Sequence, residues 1–322
     1  MSAQKPTGGF WAGCAAHFAA ARFAVLGLVL LFGFSAVFAA AFHNPQPHQV
    51  KVAVVGPPQA LRQLRATLDP QQFLAVPYAS EDAARAALRA DEVHGGVANG
   101  RILIASASGF VASQKTAQAL KALEPQAAVV DVAPLPAHDA RGLSPFVTVT
   151  ATTMASMVFA VLLTFAGGRH ALRARIVALL LVAGLGGVAV ALSVDTVVGA
   201  LTDDFWGLAG VIALLILAVA LTVHGLGRLV GHVGVGVAAL TFMLVGITSS
   251  GGGVGPQFEP GFYRAVSQIL PNGAALTAVR NDVYLSGAHT LGALAVLCAW
   301  AAAGVAVLLV GHRRGPLFAP AA

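Results

Sequence analysis

Six stretches of this chain are apolar over the roughly 20 residues that an α-helix needs to cross a hydrocarbon core. They run over about 23–42, 146–166, 174–194, 207–224, 229–249 and 290–311. Lipid offers no hydrogen bonds to an exposed backbone, so each stretch is expected to be a transmembrane helix. The composition points the same way. Charged residues make up 10% and hydrophobic residues 57%, with a mean hydropathy of +0.79. A soluble chain carries roughly 25% charge. Disordered, collagen-like and disulfide-stapled secreted classes are excluded together. The expected fold class is an α-helical polytopic membrane protein with six transmembrane helices. An extracytoplasmic α/β domain is expected between the first two.

Charge gives the expected orientation. With the amino terminus inside, the inner segments hold Lys5, Arg22, Arg169, Arg173, Arg175, Arg228, Arg313 and Arg314 and no acid, and all 13 acidic residues fall outside. That is the positive-inside pattern. The net charge of +6 is thus sorted by side rather than gathered into a nucleic-acid patch. Ala39, Ala40 and Ala41 end the first span like a signal-peptide cleavage site. The run is longer than the usual apolar region of about 7–15 residues, so a retained anchor is expected. Residues 1–22 read as a cytoplasmic interfacial lead-in, with Phe10, Trp11, Cys14 and Phe18 at near-helical spacing, and 312–322 as a cytoplasmic tail. Cys14 and Cys298 lie too far apart along this topology to suggest a disulfide or a metal site.

Block 43–145 has ordinary soluble composition. Alternating and β-branched runs predict strands at 50–56, 73–77, 93–98, 101–106 and 128–133. Asn99-Gly100 is a hairpin signal. Helices are expected from Pro57 and Pro58 to Leu68, over 80–90 with Ser80 as N-cap, and over 111–124. The result is a mixed sheet with helices on one face. No Gly-x-Ser-x-Gly elbow, metal-spaced histidine pair or nucleophilic cysteine occurs in it. His43, His48, His94 and His138 read as surface residues. Asp131 and Asp139 could pair as acids or cap turns. A binding or packing module fits better than a catalyst.

The helical half offers few ionisable residues inside its spans, which argues against a proton- or sodium-coupled carrier. His224 and His232 bracket the turn between spans four and five, where they would meet headgroups or relay protons. Gly227 and Gly231 form a GxxxG spacing and are the candidate helix-packing residues. Segment 258–284 reads as two short amphipathic helices on the outer side. Phe262, Val266, Ile269 and Leu270 share a face opposite Arg264; Pro271 breaks the pattern, and a second helix carries Arg280 and Asp282. Phe262, Arg264, Val266, Ile269, Leu270, Pro271 and Arg280 are the candidate outer gate. The inner loop carrying Arg169, His170, Arg173 and Arg175 is a stop signal or a docking site for a cytoplasmic partner. No catalytic, metal or cofactor residues are expected.

This order of parts resembles the type-2 ABC-exporter permease superfamily, in its phage infection protein branch. The resemblance rests on Val52-Ala53-Val54-Val55-Gly56 after the first span, Ser80-Glu81-Asp82-Ala83, and His94-Gly95-Gly96-Val97. It also rests on Asp131 through Asp139-Ala140-Arg141-Gly142-Leu143-Ser144-Pro145-Phe146, and on Phe262 through Gly273 before the last span. The large outer domain departs from the better-characterised exporters. The resemblance implies a homodimeric permease subunit in a bacterial plasma membrane, moving a hydrophobic or amphipathic substrate outward. It would be driven by a separate cytoplasmic ATP-binding subunit, engaged near 167–175. No Gly-x-x-x-x-Gly-Lys-[Ser/Thr] motif is present, so ATP chemistry would have to come from that other chain. An envelope receptor or secretion and assembly protein, binding through 43–145, is the alternative expectation.

Overall fold

The computed structural model describes residues 9–166, 172–287 and 290–314. Helix α1 (Gly9–Phe42) is continuous, so the expected lead-in and first span form one rod. Then follow β1 (Val50–Val55), α2 (Pro58–Thr67), β2 (Phe73–Pro77), α3 (Glu81–Arg89), β3 (Gly95–Ala98), β4 (Arg101–Ile104), α4 (Phe110–Leu123) and β5 (Ala128–Asp131). The helical half comprises α5 (Ser144–Phe165), α6 (Leu172–Ala191), α7 (Phe205–Val230), α8 (His232–Ala239), α9 (Gly261–Ser267), α10 (Pro271–Tyr284) and α11 (Thr290–Arg314).

The sheet has the order β2-β1-β3-β4-β5. β1 pairs in parallel with β2 and β3, β3 and β4 are antiparallel, and β4 and β5 are parallel. Asn99 and Gly100 both take positive φ, 51° and 72°, as a two-residue hairpin whose twist matches its strands requires. The helices lie on both faces, which corrects the one-face expectation. α2 and α4 cover Val50, Val52, Ile102 and Ile104, while α3 covers Ala53, Ala98 and Leu103. Handedness is the reason. The β1–α2–β2 and β2–α3–β3 crossovers run in opposite directions along the sheet, so right-handed connections put their helices on opposite faces. Reversal of the chain at the hairpin then returns α4 to the α2 face.

Four helices among the described residues are long and apolar enough to cross a membrane: Ser144–Phe165, Leu172–Val197, Phe205–Val230 and Thr290–Arg313. Of the two other stretches expected to span, the first is the carboxy-terminal part of α1, apolar over Gly27–Phe42, and the second is a shorter apolar helix, His232–Gly246. The second of these passes into a π-helical stretch over Leu240–Gly246. α7 is the hub, 67% buried against 22–39% for the other three long helices. Those three therefore turn much of their apolar surface outward, including Leu162, Leu181 and Leu185. Water does not favour so large an apolar surface, and a membrane-embedded protein accounts for it.

Helices α7 and α11 approach closely, backbone to backbone. A β-carbon on Gly304 would stand 2.7 Å from Leu221 Cβ and 2.8 Å from the Thr222 backbone nitrogen, and one on Gly225 would stand 3.0 Å from the Leu308 backbone nitrogen. Of the two glycines singled out from sequence, Gly227 faces Thr164, and a β-carbon there would stand 2.7 Å from Thr164 Cγ2. Gly231 has no such neighbour; with φ at 66° it ends α7 and starts α8.

Candidate functional site

The α/β domain and the helical half meet along the segment between α8 and α11. Gly251, Gly252 and Gly255 all adopt positive φ, so the chain after α8 turns tightly back toward the sheet. That path carries Phe258 into the core between the sheet and helices α2 and α4, where it is fully buried. Two hydrogen bonds fasten the loop. His48 N–H donates to the Gln257 carbonyl at 3.0 Å, and Arg264 Nη1 donates to the His48 carbonyl at 2.7 Å.

Beyond this loop, α9 and the residues just after it keep Phe262 and Ile269 exposed, Val266 half-buried and Leu270 buried. α10 differs from the amphipathic helix expected. Nearly all its residues from Pro271 to Val283 are buried, including Asn272, Arg280 and Asn281. It is walled by α5, α7 and α11, so one apolar stripe would not have sufficed. Asn272 Nδ2 donates to Thr153 Oγ1 on α5 at 3.0 Å, and Trp300 Nε1 on α11 donates to the Ile269 carbonyl at 2.6 Å.

Arg280 reaches from α10 to the α/β domain. Its Nη2 lies 3.5 Å from Asp91 Oδ2, and His94 Nδ1 lies 3.4 Å from Asp91 Oδ1. Burial pushes the Asp91 carboxyl upward, but the His94 hydrogen bond and the Arg280 charge outweigh it and hold the group below its ordinary value. Asp91 takes φ of 57°, just past the end of α3, which aims its side chain at the junction. Two cavities meet at Asp91, Gln257 and Thr277. One, about 390 Å³, runs toward Ala293 and Val296 on α11. The other, about 520 Å³, opens between Lys51, Tyr78 and His94 of the α/β domain. Together they form a cleft that is charged at its centre and apolar at the α11 end.

No family model, curated protein or solved structure matches the chain. What the junction can do follows from its own residues. Among the described residues, no group of three His, Cys, Asp or Glu side chains could hold a metal ion. Asp131 and Asp139 do not pair with each other. Asp131 accepts from Ser106 Oγ at 2.5 Å and from the Ala133 N–H, while Asp139 accepts from the Leu143 and Ser144 N–H groups at the start of α5 and from the Tyr284 hydroxyl.

The helical half also buries more ionisable side chains than expected. His224 is fully buried, and its Nδ1 lies 2.9 Å from Thr164 Oγ1. The Thr164 hydroxyl donates to the Ala160 carbonyl at 2.6 Å, so Nδ1 is the donor to it and Nε2 has no partner. Of the expected docking loop, Arg173 is exposed and Arg175 is buried toward α7, while Arg169 and His170 lie outside the described residues.

Glu259 was not singled out from sequence, since Pro256 to Pro260 reads as an ordinary loop. Its side chain is fully buried and neither carboxylate oxygen has a hydrogen-bond partner. Burial raises the carboxyl from 4.5 to about 8, against a smaller opposite pull from the Gly251 backbone; Tyr263 faces it from α9. Between those two values the folded chain keeps a proton that the unfolded chain releases. The stabilisation is therefore fully present below about pH 4.5 and is lost as pH rises through about 8. The expected loss is on the order of a few kcal/mol. Thermal unfolding in detergent from pH 4.5 to 9 should fall steeply for the native chain and be nearly flat for Glu259→Gln. Parallel profiles would mean that Glu259 is solvated.

Proposed function

We propose that the chain is the six-span permease subunit of a type-2 ABC-like exporter in a bacterial plasma membrane. In this reading both termini are cytoplasmic and the α/β domain is outside. Two copies act together with a separate cytoplasmic ATP-binding chain, which supplies the hydrolysis, and Arg173 and the loop before α6 are its docking region. The observation that carries the proposal is the cleft between the α/β domain and α10. A charged centre at Asp91, His94 and Arg280 suits a polar headgroup, and the apolar wall of Ala293 and Val296 leads toward exposed Phe262, Ile269 and Leu291. An amphipathic molecule leaving a bilayer matches that gradient, and outward movement would pass it beneath the α/β domain.

A receptor or assembly role is the second reading. It is favoured by the larger of the two cavities lying mainly against the α/β domain. Mild detergent extraction of the tagged full chain from its host, followed by mass spectrometry, separates the two. The expected result is a stoichiometric chain carrying a nucleotide-binding P-loop. Recovery of an envelope or secretion protein in its place would overturn the exporter reading in favour of the second.

A further inference from the structure

Arg175, His224 and Arg228 gather at one end of the helical bundle, where α6 begins and α7 ends. Arg175 is 8% exposed and its Nη1 has no partner, and the His224 Nε2 has none either. His224 and Arg228 lie one turn apart near the end of α7, and the two arginines stand close enough to bear on each other and on His224. Among the described residues none of the three has an ion-pair partner. A buried guanidinium without a counter-charge is costly in a low-dielectric site unless an anion completes it. The Thr164 hydroxyl beside His224 is already committed to Ala160 and His224.

Directly along the bundle from Arg175 lies a small cavity of about 100 Å³ between α6, α7 and α11. Its lining is wholly aliphatic, with Ile176, Leu179 and Leu180 following Arg175 on α6, Leu221 one turn before His224 on α7, and Leu308 and Leu309 on α11. Leu179 and Leu308 form a buried floor, while Leu180 and Leu309 stand exposed at the rim, so the slot opens sideways to the surroundings of the bundle. Cations at one end of an aliphatic slot match one ligand chemistry, a phosphate ester carrying a hydrocarbon chain.

We propose that this is a binding site for an anionic phospholipid. The phosphate lies against Arg175 and Arg228, and an acyl chain enters the slot past Leu180. Basic pockets between membrane helices bind acidic headgroups by the same physics. A bound lipid would neutralise the buried charge and staple α6 to α7 and α11. The site is separate from the cleft at Arg280, and it does not depend on the transport reading.

The test is native mass spectrometry of the full chain in mild detergent, titrated separately with phosphatidylglycerol, phosphatidylcholine and inorganic phosphate. The native chain should prefer phosphatidylglycerol over phosphatidylcholine by about tenfold or more, equivalent to about 1.4 kcal/mol. Arg175→Gln and Arg228→Gln should each cut phosphatidylglycerol binding about tenfold. Arg62→Gln, exposed on α2 of the α/β domain, should leave it unchanged. Leu180→Trp fills the rim of the slot at an exposed position, so it should weaken lipid binding several-fold with the fold intact. It decides the matter even where loss of Arg175 prevents folding. Equal binding of the two lipids, or binding indifferent to Arg228→Gln and Leu180→Trp, would overturn the proposal. Inorganic phosphate binding as tightly as the lipid, unaffected by Leu180→Trp, would overturn it in favour of a free-anion site.

Discussion

Replacing Phe258 with alanine should destabilise the α/β domain by about 3–5 kcal/mol, the usual cost of truncating a buried aromatic. The ring is fully buried among Val52, Phe73, Ile102 and Leu120, yet it is delivered by the loop after α8. Two losses combine: the cavity left in the core, and the anchor that holds the loop against the sheet. The loss is a large share of the roughly 5–15 kcal/mol that keeps a typical domain folded. Protease should therefore cleave the α/β domain in Phe258→Ala at concentrations that leave the native chain whole. Phe262→Ala, four residues on at an exposed position, should behave as native. Equal protease resistance in the two variants would mean that the α/β domain does not depend on the loop.

Substituting Gly304 with valine should be comparably severe. A β-carbon there would press on the backbone of Leu221 and Thr222, which cannot rotate away as a side chain can. α7 and α11 would have to separate along their length, opening the aliphatic packing around Leu215 and Leu297. Overpacking of this kind costs about 1–3 kcal/mol, and contact with backbone puts it at the upper end or beyond. Gly184→Val is the matched control, since a β-carbon there meets nothing within 4 Å. The Gly304 variant should extract poorly and melt well below the Gly184 variant. If the two melt together, close backbone approach does not hold these helices.

Much of the α/β domain is legible from local chemistry. Alternation in 50–55, the Asn99-Gly100 turn and the Ser80 cap act within a few residues, and each forms where its residues call for it; Ser80 Oγ accepts from the Ala83 N–H at 3.1 Å. Helix placement on the sheet is not local. It depends on strand order, which no single strand encodes. The apolar stretches are equally plain by length, but hydropathy cannot distinguish a helix facing lipid from one enclosed by protein. α10 is the instructive case: its small residues, Gly273, Ala274, Ala275 and Ala278, lower its hydropathy while suiting it to close packing, so it read as interfacial. The junction escaped notice for another reason. Asp91 and Arg280 are 189 residues apart, and their meeting follows from the path of the whole chain. Glu259 and Arg175 were charged residues in segments that read as loop and stop signal, and only their enclosure makes them unusual.

The position of Phe258 also bears on the order in which the chain can be assembled. The sheet and its three helices are encoded before the first long helix of the bundle, so they emerge from the ribosome early. One face of that sheet nevertheless stays incompletely covered until synthesis has proceeded through α5, α6, α7 and α8 to the glycine-rich loop. During that interval the domain would hold its topology but not its final packing, and its apolar surface would be open to chaperones or to aggregation. Completion of the domain thus reports that the helices before the loop have been made. A chain truncated before residue 258 would carry an α/β domain recognisable as unfinished.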